Sequence, residues 1–233
     1  MGSFEIEDGV LKKFTGDDEE VVIPSGVVEI APQAFANRVN MKSITIPQSV
    51  ELIGDWAFYM CMSLKAVTLP ERINQICDLC FMNCVELKTI EIPKGVTRIG
   101  FEAFADCFKL EHLTVPAAVL TIEKFAFYKC NKLSRLDFLS ERSFEAFRTN
   151  LRASRSEFED SLAGKKSLWN YLPNLEKVTV EGTDAKHYRK FLRPTLEGRL
   201  KYILCHPRRK KKLLPEDSNN DDSDGSFDFF GPV

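Results

Sequence analysis

Three cysteines, Cys77, Cys80 and Cys84, stand in a CxxCxxxC arrangement. Thiolates at that spacing are the usual material of a tetrahedral zinc site once a fourth ligand joins them, and Cys61 or His112 would be that ligand. A second pattern in the same residues speaks against metal. Cys61, Cys84, Cys107 and Cys130 recur every 23 residues, Cys80 takes the place of Ala57 and Ala103, and Cys77 takes the place of Gly54 and Gly100. Positions that exchange cysteine for alanine or glycine are small inward or turn positions, where a free thiol acts as a compact hydrophobe. Buried structural thiols with no metal and no cofactor are therefore expected, and free thiols mildly favour a reducing compartment.

Other chemistry is thinner. His112, His187 and His206 share no motif with a nucleophile, and the sequence holds no GxSxG elbow, HExxH pair or phosphate-cradling glycine loop. A non-enzymatic chain is expected. The run Arg208 to Lys212 would contact phosphates or act as a nuclear address, but acids follow it and no aromatics are interleaved as a single-strand binder needs. Nucleic-acid association through this run is thus the alternative to protein binding. Phe227 to Phe230, FDFF after an acidic stretch, reads either as a short docking motif or, more often for such an end, as a floppy terminus.

Composition sets wide bounds. Lys and Arg (32) nearly cancel Asp and Glu (34), leaving a net charge of −2, so no overall attraction to nucleic acid or an anionic membrane follows. There is no apolar run long enough to span a bilayer, and residues 1–25 carry acids where a secretory leader is apolar. A cytoplasmic monomer is expected, with a cell-surface location if a signal was removed.

The elements that place these residues come from an internal repeat. Pro24, Pro47, Pro70, Pro93 and Pro116 are 23 apart, and the same step joins Phe35, Phe58, Phe81, Phe104 and Phe127. It also joins Ile30, Ile53, Ile76, Ile99 and Ile122, and Met41, Leu64, Leu87, Leu110 and Leu133. One such unit cannot bury its apolar columns alone; stacked units can. In LKAVTLP, Leu64, Val67 and Leu69 alternate with Ala66 and Thr68, the period of a strand with one buried face. The following proline, lacking an amide hydrogen, ends each strand at the same height. The AFxxC stretch suits a short helical turn back to the next strand.

The units IPQSVELIGDWAFYMCMSLKAVT (46–68) and IPKGVTRIGFEAFADCFKLEHLT (92–114) resemble the BspA-type leucine-rich repeat. That resemblance, covering roughly residues 4–138, implies an α/β repeat solenoid with a parallel concave sheet and short convex helical turns. It implies adhesive or protein-binding roles, often at cell surfaces, and no catalysis.

The ends depart from the period. Residues 1–22 are expected to form a hairpin cap turning at Asp8-Gly9, and 23–138 five repeats. A helical insertion is expected over 139–171, with Phe144, Phe147, Leu151, Phe158 and Leu162 on one face. A final rung and helical cap fill 172–205, and a disordered basic-then-acidic tail 206–233. The outward strand positions form the expected face for a protein partner: Ser43, Thr45, Ala66, Thr68, Thr89, Glu91, His112, Thr114, Arg135, Asp137, Lys177 and Thr179. Glu91, His112 and Arg135 read as a trio on three successive rungs.

Overall fold

The structure, a computed structural model, describes residues 2–149, 172 and 174–181. The chain opens on an antiparallel hairpin, β1 (Ser3–Glu7) and β2 (Val10–Thr15). Asp8 and Gly9 both have positive φ (48° and 77°), as a tight turn matching strand twist requires. Beyond it the chain winds into about six turns, each contributing one longer and one two-residue strand, all paired in parallel.

The longer strands are β3 (Glu20–Val22), β5 (Ser43–Thr45), β7 (Ala66–Thr68), β9 (Thr89–Glu91), β11 (His112–Val115), β13 (Arg135–Phe138) and β14 (Lys177–Val180). The shorter are β4 (Glu29–Ile30), β6 (Leu52–Ile53), β8 (Gln75–Ile76), β10 (Arg98–Ile99) and β12 (Thr121–Ile122). Register follows the repeat: Ser43, Ala66 and Thr89 are aligned neighbours, as are Ile44, Val67 and Ile90. The alternation expected from LKAVTLP is present, since Val67 is buried between exposed Ala66 and Thr68.

The expected short helical turns are not there. In their place each AFxxC stretch is a run of turns in which non-glycine residues take left-handed backbone angles. Gln33, Asn37, Trp56, Met60, Leu79, Asn83, Glu102, Asp106, Phe125 and Lys129 have φ between 50° and 63°. Amides alternate in use. Those of Ala34, Ala36 and Arg38 close turns within the rung, on Ala31, Gln33 and Phe35, while those of Gln33, Phe35 and Asn37 donate to Asp55, Ala57 and Tyr59 of the next. The pattern repeats at Leu79, Phe81 and Asn83, which donate to Phe101, Ala103 and Ala105 at 2.8–2.9 Å. A helix would turn every amide back on itself. Left-handed residues cost roughly 1–2 kcal/mol each, and the hydrogen bonds they direct to the neighbouring rung offset that cost.

The core is a column of rings. Phe35, Phe58, Phe81, Phe104 and Phe127 stack at centroid distances of 5.2–5.9 Å, nearly parallel, and are fully buried. Phe14 of β2 begins the column, 5.5 Å from Phe35. At the other end a helix, α1 (141–149), places Phe144 and Phe147 against Phe138, and Phe147 against Phe127. Ser140 caps it, its Oγ accepting the amide of Ser143 at 3.1 Å. Leu151, Phe158, Leu162 and the expected helical cap and tail lie outside the described residues.

Close rung spacing explains two glycines. A Cβ on Gly54 would lie 2.6 Å from the Pro32 nitrogen, and one on Gly100 2.7 Å from the Cys77 carbonyl carbon.

Candidate binding face

The cysteines of the described residues lie inward, in their repeat columns. Cys61, Cys77, Cys80, Cys84, Cys107 and Cys130 are free and buried. Those in the 23-residue column donate to a backbone carbonyl of the preceding turn: Cys61 to Phe35, Cys84 to Phe58, Cys107 to Phe81 and Cys130 to Phe104, at 3.1–3.2 Å. Burial pushes the Cys61 thiol up to about 12 and that of Cys77 to about 11, and raises those of Cys80, Cys84, Cys107 and Cys130 as well. Thiols so held stay protonated at neutral pH and are weak nucleophiles. Among the described residues no group of three His, Cys, Asp or Glu side chains is placed to hold a metal ion.

The open face of the longer strands presents accessible side chains in aligned columns. Ser43, Thr45, Ala66, Thr68, Thr89, Glu91, His112 and Arg135 are exposed there, and Thr114 and Lys177 are half-buried. Asp137 and Thr179 are buried, with 8% and 6% of their surface accessible, so they lie beneath the contact surface rather than on it. The reason is a local network. Asp137 Oδ2 accepts hydrogen bonds from Arg135 (2.7 Å) and pairs with His112 Nε2 (2.8 Å), while the Thr179 hydroxyl donates to Oδ1. Burial pushes the Asp137 carboxyl up, but the bonds from Arg135, Thr179 and His112 outweigh it and hold the group below its ordinary range.

The expected trio is only partly assembled. β11 and β13 pair so that His112 lies beside Arg135 and Thr114 beside Asp137. Glu91 aligns with Thr68, in the column of Thr114 rather than that of His112. The ladder is also interrupted: β3-β5-β7-β9 and β11-β13-β14 form separate sheets, linked at the strand entry by the Glu111 amide on the Lys88 carbonyl at 3.2 Å. Sequence reasoning missed Asp137 as the hub. Its signal was an acid, two residues after Arg135 and on the same face, standing in a threonine column.

Stacked parallel rungs at a 23-residue period, with apolar columns inward and an open strand face, define a leucine-rich-repeat solenoid. The chain belongs to the family described as the BspA type leucine rich repeat region, which matches in six copies across residues 5–134. Among solved structures it is similar to a leucine rich cell surface protein from Faecalibacterium prausnitzii, at 33% identity and a TM-score of 0.56. That match covers 59% of this chain and 37% of the other, so the chain spans little more than a third of that relative. The leucine rich repeat protein of T. pallidum matches at 25% identity and a TM-score of 0.57, covering 77% of this chain and 81% of that one. The pneumococcal vaccine antigen PcpA shares the fold at 18% identity, with a TM-score of 0.54 over 87% of this chain and 42% of its own. No curated protein matches the sequence. Among the described residues no helix is long and apolar enough to cross a membrane.

Proposed function

We propose that the chain is a non-enzymatic protein-binding module that engages a polar or charged epitope on the open strand face. The observation supporting this is the pair of exposed side chains, the His112 imidazole and the Arg135 guanidinium, both fixed by one buried carboxylate. Preorganised groups lose little freedom when a partner docks. Glu91, one rung earlier and one column across, adds a charge of opposite sign, and the threonines supply short hydroxyls that do not obstruct approach. The similarity to a protein described as a cell surface protein supports display at a cell surface.

The test is affinity for a partner captured by crosslinking in the source cell. The Glu91, His112 and Arg135 triple alanine variant is compared with a triple alanine variant at exposed Lys12, Glu71 and Lys94. A loss of tenfold or more in the first alone supports the face; equal binding by both refutes it. Protease treatment of intact cells that leaves the chain uncut refutes surface display.

A further inference from the structure

A second surface runs along the solenoid at the corner where each turn run enters the next long strand. Val39, Met62, Val85 and Phe108 recur there at the repeat spacing. Val39, Met62 and Phe108 are among the most exposed large hydrophobics of the described residues, at 41%, 37% and 39%, and Val85 is half-buried. They are stacked, not scattered. The amide of Glu86 bonds the Met62 carbonyl, that of Lys132 bonds the Phe108 carbonyl, and Lys109 Nζ reaches Glu86 at 2.6 Å between the middle rungs. A contiguous apolar stripe on a folded surface marks an interaction site, whereas single exposed residues do not.

A basic stripe runs beside it. Lys42, Lys65 and Lys88 occupy the column three residues further on, with the Lys65 amide on the Lys42 carbonyl and the Lys88 amide on the Lys65 carbonyl at 3.1 and 3.0 Å. Lys42 is paired with Glu19 at 2.6 Å, whereas Lys65 and Lys88 form no ion pair among the described residues. Both stripes break near the same height, where Glu111 replaces the lysine and Asn131 the apolar residue. Together they fit an extended segment bearing apolar and acidic side chains.

The chain carries a stretch of that composition: Asp221, Asp222 and Asp224, then Phe227, Asp228, Phe229 and Phe230. From Phe227 to Phe230 three extended steps span about 10 Å, and the two rung steps from Met62 to Phe108 span about 10 Å at strand spacing. The stretch between Glu181 and Phe227 is long enough in residues to reach this corner, spanning more than ~100 Å at full extension. We propose that residues 221–230 dock on this corner, with their aromatic rings on Met62, Val85 and Phe108 and their carboxylates opposite Lys65 and Lys88. A tethered contact is intramolecular, so it forms at affinities too weak to join separate molecules.

The test uses the full chain with Phe229→benzoylphenylalanine as a photo-crosslinker. Crosslinks are mapped by mass spectrometry in the monomer and dimer fractions. The expected products are intrachain links to the Met62, Val85 and Phe108 rungs. Their yield falls at least fivefold in 1 M salt, in Met62→Ser with Phe108→Ser, and in Lys65→Glu with Lys88→Glu, while Lys12→Glu with Lys94→Glu leaves it unchanged. Circular dichroism verifies that each variant is folded. Links spread over other faces, or no links, overturn the proposal; links to these residues confined to the dimer fraction assign the surface to a second copy and overturn it also.

Discussion

Removing one ring from the middle of the phenylalanine column tests the account of stability most directly. Phe81 is fully buried, with its centroid 5.2 Å from Phe58 and 5.6 Å from Phe104. Phe81→Ala removes the buried ring from water-free packing and leaves a cavity that neighbouring rungs, held by hydrogen bonds on two sides, cannot fill. Such changes cost about 3–5 kcal/mol, of which each ring contact accounts for about 0.5–1.5 kcal/mol. In urea, with a slope of about 2 kcal/mol/M, the midpoint falls by roughly 2 M. Because each turn of a solenoid is stabilised chiefly by its neighbours, the loss is also expected to broaden the transition as the two halves uncouple. Phe108→Ala, at an exposed ring, is expected to cost under about 1 kcal/mol. The measurement is equilibrium unfolding followed by circular dichroism, with a double-mutant cycle between Phe58 and Phe81. A cost for Phe81→Ala no larger than for Phe108→Ala, or no coupling in the cycle, refutes the stacked column as the core.

Three further outcomes are expected. Asp137→Asn removes charge-assisted bonds worth about 1.5–3 kcal/mol at neutral pH. Because the folded-state carboxyl is held below its ordinary value of 3.8, that contribution is fully present above it and disappears as pH falls through the lower folded value, so wild-type and variant stabilities measured by urea titration converge in acid. A constant gap down to pH 2 contradicts the network. Gly100→Ala forces a Cβ against the Cys77 backbone and is destabilising, whereas Gly95→Ala, 3.7 Å from the nearest atom, stabilises by about 0.4–1 kcal/mol; thermal melts showing the same sign for both refute the close-approach argument. In a Cys205→Ser background, a water-soluble disulfide reagent at pH 8 leaves the six buried thiols unmodified in the native protein and labels all six in denaturant. Fast native labelling is the contrary result.

Much of this was legible in the residues themselves. The repeat period places Phe35 to Phe127, Ile30 to Ile122 and the cysteine column inward, because burial selects residue type and a stack repeats the same burial at every rung. The strand alternation and the Asp8-Gly9 hairpin follow from equally local rules. What burial pattern does not carry is where a backbone amide points. Trp56, Met60, Leu79 and Phe125 are poor sequence signals for left-handed backbone, so the turn runs looked helical, and only their bonds to the adjacent rung impose the other geometry. The Asp137 network is tertiary for a related reason. Its partners come from three strands, β11, β13 and β14, the last far along the chain, and their convergence depends on register and on the entry of β14 beside β13. Sequence spacing put Glu91, His112 and Arg135 on successive rungs; the two-residue step along a strand moved Glu91 into the next column, because side-chain position on a sheet is set by strand register as well as by rung.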